Sequence, residues 1–443
     1  MSFLLSCFIL LTISSISNAV VPAENQFVYT CIGVFGDHIV EYDGNYVHSN
    51  IFNAPFQLMY YNTTPNAFTL AIRMGLTRTE SPRRWTWEAN RGNPVGLNSN
   101  LTFGSDGNLV LTDATDGRVA WQTNTANKGV TWFSLLPNGN MVLYNSNGSY
   151  VWQSFDYPTD TLLVGQSLKA SSSSKLLVSR ASASENKNGL YSLVMEQTNL
   201  VLYYQSPNSA AKKYKIYSYS DHGIISSGTL DTVTLTVTPE TTENYAYDIN
   251  FDYTVKNQTT GGVAQYLARP KYNATLSLLR LGIDGNIRLF TYFDKVDIGW
   301  GAWEETYTLF DRENWDSRKS ECQLPVRCGK FGLCENNQCV ACPLETGLMG
   351  WSSSCDAKKV SSAACSKKAF HYYKVEGVNH FMSTFTRGDV TTESGCGSKC
   401  SSDCKCLGYF YRQKESRCWI AYDLMTLSRV ANSTHVGYIK VPN

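Results

Sequence analysis

The sequence predicts a mainly β protein, and three observations predict it. Tryptophans recur as Trp87, Trp121 and Trp152, 34 and 31 residues apart. Self-similarity at such a period means repeated units that share one core. Asp106-Gly107-Asn108 and Asn138-Gly139-Asn140 are hairpin signals flanked by alternating apolar residues, so each unit reads as short strands joined by tight turns. Twelve of the 14 cysteines crowd between Cys322 and Cys418, so the chain ends in small modules held by disulfides.

Composition narrows the function classes. The formal net charge of 443 residues is +1, which gives no bulk attraction to nucleic acid or to an anionic membrane. Charged residues make up only 17%, so the surface is polar rather than ionic. Residues 1–19 hold a short apolar run, Leu4 to Ile13, and end in Ser17-Asn18-Ala19, the pattern of a secretory signal peptide cut after Ala19. That run is too short to span a membrane, and no later stretch reaches about 18 apolar residues, so the expectation is a soluble, secreted chain. Six Asn-x-Ser/Thr sequons, at Asn62, Asn100, Asn147, Asn257, Asn273 and Asn432, predict glycosylated surface loops.

Residues 20–47 read as an arm leading into the first domain, which runs over 48–165. Glu41-x-Asp43-x-Asn45-x-Val47 in the arm mimics a polar binding strand by chance. Pro55–Pro65 and Phe68–Arg73 are the opening strands of the domain, and Trp152–Leu163 closes it. A tryptophan is too large to bury alone, so three units are expected to pack Trp on Trp about a pseudo-threefold axis. The stretch resembles the bulb-type, mannose-binding lectins, whose β-prism is built from three four-stranded sheets. In that family each sugar site reads Gln-x-Asp-x-Asn-x-Val-x-Tyr. Side chains alternate across a strand, so all five residues share one face. The resemblance makes Asp106, Asn108 and Val110 one candidate carbohydrate site, with Gly104 and Thr112 where Gln and Tyr would stand. It makes Asn138, Asn140, Val142 and Tyr144 a second, with Leu136 at the Gln position and Asn138 at the Asp position. A third copy, Met195-x-Gln197-x-Asn199-x-Val201-x-Tyr203, departs further, and no copy is complete.

Residues 166–321 form a second, lectin-like domain. Within it 166–181 read as a linker or long hairpin loop. Thr232–Thr238 alternates Thr with apolar residues as a half-buried strand does. Ile283–Tyr292 is another Asp-Gly-Asn hairpin, and Trp300 and Trp303 close the region.

Cys322, Cys328, Cys334, Cys339, Cys342 and Cys355 span too few residues for an unaided core. With Cys328-Gly329-Lys330-Phe331-Gly332-Leu333-Cys334 the set resembles the EGF-like module of plant S-locus glycoproteins, over 322–355. Cys365, Cys396, Cys400, Cys404, Cys406 and Cys418 resemble a PAN (apple-like) module over 361–441, in which a helix carries Cys396 and Cys400. Even counts predict that each set pairs within itself and leave Cys31 over. Cys339-x-x-Cys342 has no second pair at metal-ligand spacing, so no metal is expected there.

The predicted architecture is therefore tandem bulb-lectin β-prism domains, a disulfide-rich EGF-like module and a small α+β PAN module. Over most of the chain this order resembles plant S-domain proteins. Phrases such as Trp87-Glu88-Ala89-Asn90-Arg91-Gly92-Asn93-Pro94-Val95 and Lys374-Val375-Glu376-Gly377-Val378-Asn379-His380-Phe381 resemble the epidermis-specific secreted glycoproteins of plants. The resemblance implies a non-enzymatic glycoprotein of the cell wall or apoplast that binds carbohydrate weakly or multivalently. The alternative is a module that binds protein or peptide. Partners are then a wall carbohydrate or glycoprotein, with a protein partner or self-association through the PAN module, where Phe370-His371-Tyr372-Tyr373-Lys374 looks exposed. No cofactor is expected: the chain carries no His-Glu-x-x-His, Gly-x-Ser-x-Gly or phosphate loop.

Overall fold

A computed structural model describes residues 20–33, 39–76, 82–170, 174–209, 212–220, 224–225, 227–239, 246–257, 263–296, 301–312 and 319–443. The signal peptide expected at 1–19 and Trp300 lie outside the described residues. The rest is mainly antiparallel β-structure in two prisms and a disulfide-rich end.

In the first prism one sheet orders Phe27–Thr30, Asn100–Phe103, Leu109–Thr112 and Val119–Gln122. A second orders Asn45–Val47, Phe56–Asn62, Thr69–Met74 and Arg84–Glu88, and a third holds only Val130–Leu135, Met141–Asn145 and Tyr150–Gln153. The three tryptophans meet at the axis as expected. Trp87–Trp121, Trp87–Trp152 and Trp121–Trp152 centroids lie 5.7, 6.0 and 5.7 Å apart, each pair edge to face. That is the arrangement the ring quadrupoles favour. The hairpins need their glycines: Gly139 has φ +84°, and a Cβ there would come within 2.6 Å of the Phe56 ring.

Residues 20–47 are not an arm. Phe27–Thr30 pairs with Asn100–Phe103, and Asn45–Val47 with Phe56–Asn62, so this segment supplies the outer strand of two sheets. Backbone pairing along an edge satisfies groups that would otherwise stay open. Glu41, in the mimic of a binding strand, is spent on Arg84 and Arg280.

The end of the first domain also lies elsewhere. Thr161–Leu163 crosses over and pairs with Ser277–Leu281 of the second prism. The physical reason is alternation. Leu163 enters the first core, and Leu162 enters the second. The same sheet continues with Leu278, Phe290 and Tyr292 facing the first core and Leu279, Leu281 and Leu289 facing the second. One sheet is thus shared as the layer between the prisms. Residues 166–181 contain strands Ser167–Lys169 and Leu176–Arg180 rather than a linker, with 171–173 outside the described residues.

The twelve cysteines pair within their two sets: Cys322–Cys334, Cys328–Cys339 and Cys342–Cys355, then Cys365–Cys404, Cys396–Cys418 and Cys400–Cys406. Cys31 is free and buried, and burial pushes its thiol up to about 12. The helix Glu393–Ser402 is capped by Thr392, whose hydroxyl accepts from the Gly395 N–H, and it turns Cys396 and Cys400 inward. The two modules are not separate bodies: Phe331–Glu335 of the first runs parallel to Met425–Arg429 of the second in one sheet. Phe381 then sets its edge against Tyr204 and Tyr214, 5.6 and 5.8 Å away, which docks the second module on the second prism. The strand Phe370–Glu376 is engaged: the Tyr373 hydroxyl donates to the Pro343 carbonyl, Tyr372 bonds Ser401, and His371 meets Glu345 at 2.6 Å.

Candidate functional site

The two strand faces singled out in the sequence are formed, but their asparagines are used by the fold. Leu109 and Leu111 point into the core, which turns Asn108, Val110 and Thr112 outward, beside Gln122 across the ladder. Asn108 is nevertheless only 7% exposed. Its amide N–H donates to Gln122 Oε1 at 2.9 Å, and its carbonyl accepts from the Thr123 hydroxyl and the Thr125 N–H. The second copy repeats the pattern. Asn140 donates to Gln153 Oε1 at 2.9 Å and accepts from Ser154 Oγ and the Phe155 N–H. Asp106 and Asn138 are exposed, each accepting from the backbone N–H two residues on. Val110 is half-buried and Val142 fully buried. The structure therefore joins Asn108 to Gln122 and Asn140 to Gln153 as hairpin staples. The repeated Trp-Gln dipeptide, Trp121-Gln122 and Trp152-Gln153, carried that signal in the sequence: one residue goes to the axis and the next to the outer face.

Tyr144 is different. Across the third sheet it stands opposite Trp132 on one side and Tyr150 on the other, so three aromatic residues lie in register on the outer face. Trp132 and Tyr150 are 45% and 52% exposed. Burial, and then the neighbouring Tyr150, push the Tyr144 phenol above its ordinary range. Val130–Leu135 is one edge of this three-stranded sheet. Asn25 and Asn53 donate to its Thr131 and Leu135 carbonyls, which blunts that edge. Sequence reasoning missed the row because Trp132 falls outside the recurring pattern.

A cavity of about 380 Å³ opens at the end of the tryptophan axis. Trp121, Trp152 and Tyr157 line it from the first prism, and Leu176 and Val178 from the second. Tyr157 lies flat on Trp152, 5.6 Å away at 15°.

Beside it runs a buried ionic joint. Arg91 reaches Glu88 at 2.5 Å and Asp160 at 2.9 Å. Arg280 reaches Glu41 at 3.2 Å, and Arg180 reaches Glu88 at 3.4 Å. Burial opposes the charges of Asp160, Arg91 and Arg280, yet the two guanidiniums hold the Asp160 carboxyl below its ordinary range. The joint is a structural clamp between prisms; all its charges face one another.

Of the six sequon asparagines, Asn147, Asn257 and Asn273 are exposed, and Asn100 and Asn432 are half-buried. Asn62 is 6% exposed at the end of a strand, an enclosed position for a glycan.

The family profile described as D-mannose binding lectin matches residues 85–183, the stretch that carries the tryptophan repeat. EP1-like glycoprotein 4 of Arabidopsis thaliana is 48% identical over 428 residues, 96% of this chain and 94% of its own. The epidermis-specific secreted glycoprotein EP1 of Daucus carota is 52% identical over 372 residues, 81% of this chain and 93% of its own. A G-type lectin S-receptor-like serine/threonine-protein kinase of Arabidopsis thaliana is 27% identical over 80% of this chain and 42% of the kinase. Among the described residues no helix is long and apolar enough to cross a membrane. The paired prisms, the tryptophan axis and these identities have one reading: the chain belongs to the EP1-like, epidermis-specific secreted glycoproteins, with a bulb-type lectin fold.

Proposed function

We propose that this glycoprotein binds cell-wall polysaccharide, weakly at each site and usefully only through several contacts. The observation that carries the proposal is the row Trp132–Tyr144–Tyr150, two of whose members are large apolar side chains open to solvent. An aromatic face packs against the C–H face of a sugar ring, and exposed apolar groups gathered on one surface mark a contact surface. The hydrogen bonds left to the neighbouring polar residues are few, because Asn108 and Asn140 are already satisfied. Each hydrogen bond exchanged with water contributes about 1 kcal/mol. Binding near millimolar, about −4 kcal/mol, then depends on repeated contacts along one polymer.

Retention on immobilised mannan and other neutral wall polysaccharides tests this. Trp132→Ala with Tyr150→Ala should abolish retention and leave the melting temperature unchanged. If the double variant is retained like the parent, the row is not the contact surface. Protein or peptide recognition is the second reading, favoured by the same internal use of Asn108 and Asn140. A glycan array set against a pull-down of secreted proteins separates the two.

A further inference from the structure

The molecule holds a second, differently charged site. Between the second prism and the PAN module lies an open cleft of about 530 Å³. Four cationic side chains line it: Lys215 from the strand Lys213–Ser218, Arg387 from the loop after the helix Met382–Phe385, Arg412, and Arg417. Glu415 is the single carboxylate among the lining residues.

Two observations argue against a merely solvated patch. Arg412 and Arg417 are direct cross-strand partners, a placement that costs stability for like charges unless an anion lies near both. Arg412 is also held in place. Its guanidinium sits 5.1 Å from the Trp419 ring centroid, and its Nη2 donates to the Ser383 carbonyl at 3.3 Å. Its Nε is buried with no hydrogen-bond partner among the described residues. Glu415, 3.4 Å from Nη1 and 51% exposed, offsets only part of this charge. An arginine fixed by an aromatic face and a carbonyl is organised in advance for a carboxylate.

We infer that this cleft is a subsite for an acidic polysaccharide, a chain bearing carboxylated sugar residues. The choice of a polysaccharide over an acidic peptide rests on the lectin-like reading above and on the exposed Thr384 hydroxyl in the same lining, which suits a polyol; Ser218 and Thr386 spend their hydroxyls within the fold. The site is distinct from the aromatic row, since it is built from the second prism and the PAN module.

The full-length secreted protein is tested on immobilised polygalacturonate, on the same polymer fully methyl-esterified, and on polyglutamate. The expected result is retention on polygalacturonate that falls steeply with salt, since exposed charges are screened within about 10 Å at 0.1 M. Esterification should abolish it. Lys215→Gln with Arg387→Gln, both in the cleft and away from the hydrophobic core, should weaken it about tenfold. The same variant should keep the parent's melting temperature and its retention on neutral polysaccharide. The inference is overturned if the parent is not retained, if the ester binds as well as the acid, or if the double variant binds like the parent. Equal retention on polyglutamate overturns it too and assigns the cleft to an acidic peptide. Retention of the aromatic-row double variant on neutral polymer like the parent would remove the other reading and leave this result standing.

Discussion

Arg180 of the second prism lies 3.4 Å from Glu88 of the first, and the two side chains are 1% and 3% exposed. Arg180 also donates to the Tyr61 and Thr63 hydroxyls, so one side chain ties three first-prism residues to the second prism. Removing one partner of a buried pair leaves the other charge uncompensated, which costs about 3–5 kcal/mol. Arg91 still holds Glu88, so Arg180→Ala should fall at the lower end of that range. Denaturant unfolding measures it, and a loss below about 1 kcal/mol would show that the clamp rests on the shared sheet instead.

Asn140→Ala should reduce stability rather than only touch binding. The side chain is 3% exposed and makes three hydrogen bonds within the closing hairpin. Buried groups left without partners cost about 1–3 kcal/mol. Asp106→Ala should be mild by comparison, since that carboxylate is exposed. Thermal melts of the two single variants, run side by side, give the comparison; equal melting temperatures would refute it.

His380 should make the protein less stable in acid. Its neutral ring donates from Nε2 to the Asp423 carbonyl at 2.9 Å and accepts at Nδ1 from the Met382 N–H. Burial pushes the imidazole down to about 3. The unfolded ring titrates near 6.5, so below that pH the unfolded chain binds a proton that the folded chain refuses. Stability is complete above about pH 6.5 and falls towards about pH 3, by up to about 1.4 kcal/mol per pH unit. His380→Phe should flatten the dependence between about pH 4 and 6.5, although it lowers stability at neutral pH. An unchanged slope in urea unfolding across that range would exclude His380 as its source.

Deleting residues 361–443 should unravel more than the PAN module. The deletion removes Met425–Arg429, the parallel neighbour of Phe331–Glu335, and the Thr426 hydroxyl that accepts from the Cys328 N–H. Limited proteolysis of the truncated chain should cut within 322–355. Resistance there would show that the first disulfide set folds alone.

Much of the local structure was determined by the sequence itself. The hairpins follow from Asp-Gly-Asn and Asn-Gly-Asn, because glycine, lacking a Cβ, takes the positive φ found at Gly107 and Gly139 at no steric cost. The axis follows from the spacing of Trp87, Trp121 and Trp152, and the separation of the disulfide sets from even counts in two short stretches. These signals are local or periodic, so they survive in a linear string.

What the tertiary structure decided depends on which face meets which neighbour. Nothing in Thr161-Leu162-Leu163 announces that its two leucines serve different cores, because alternation says only that they part. Asn108 and Asn140 look alike as ligands and as staples until Gln122 and Gln153 are seen across the ladder. Tyr144 joins Trp132 and Tyr150 only through strand register, and the cleft gathers Lys215 and Arg412 from positions nearly two hundred residues apart. Pairings of that kind are set by the packing of whole sheets, where burial of many side chains at once outweighs any preference a short segment can express.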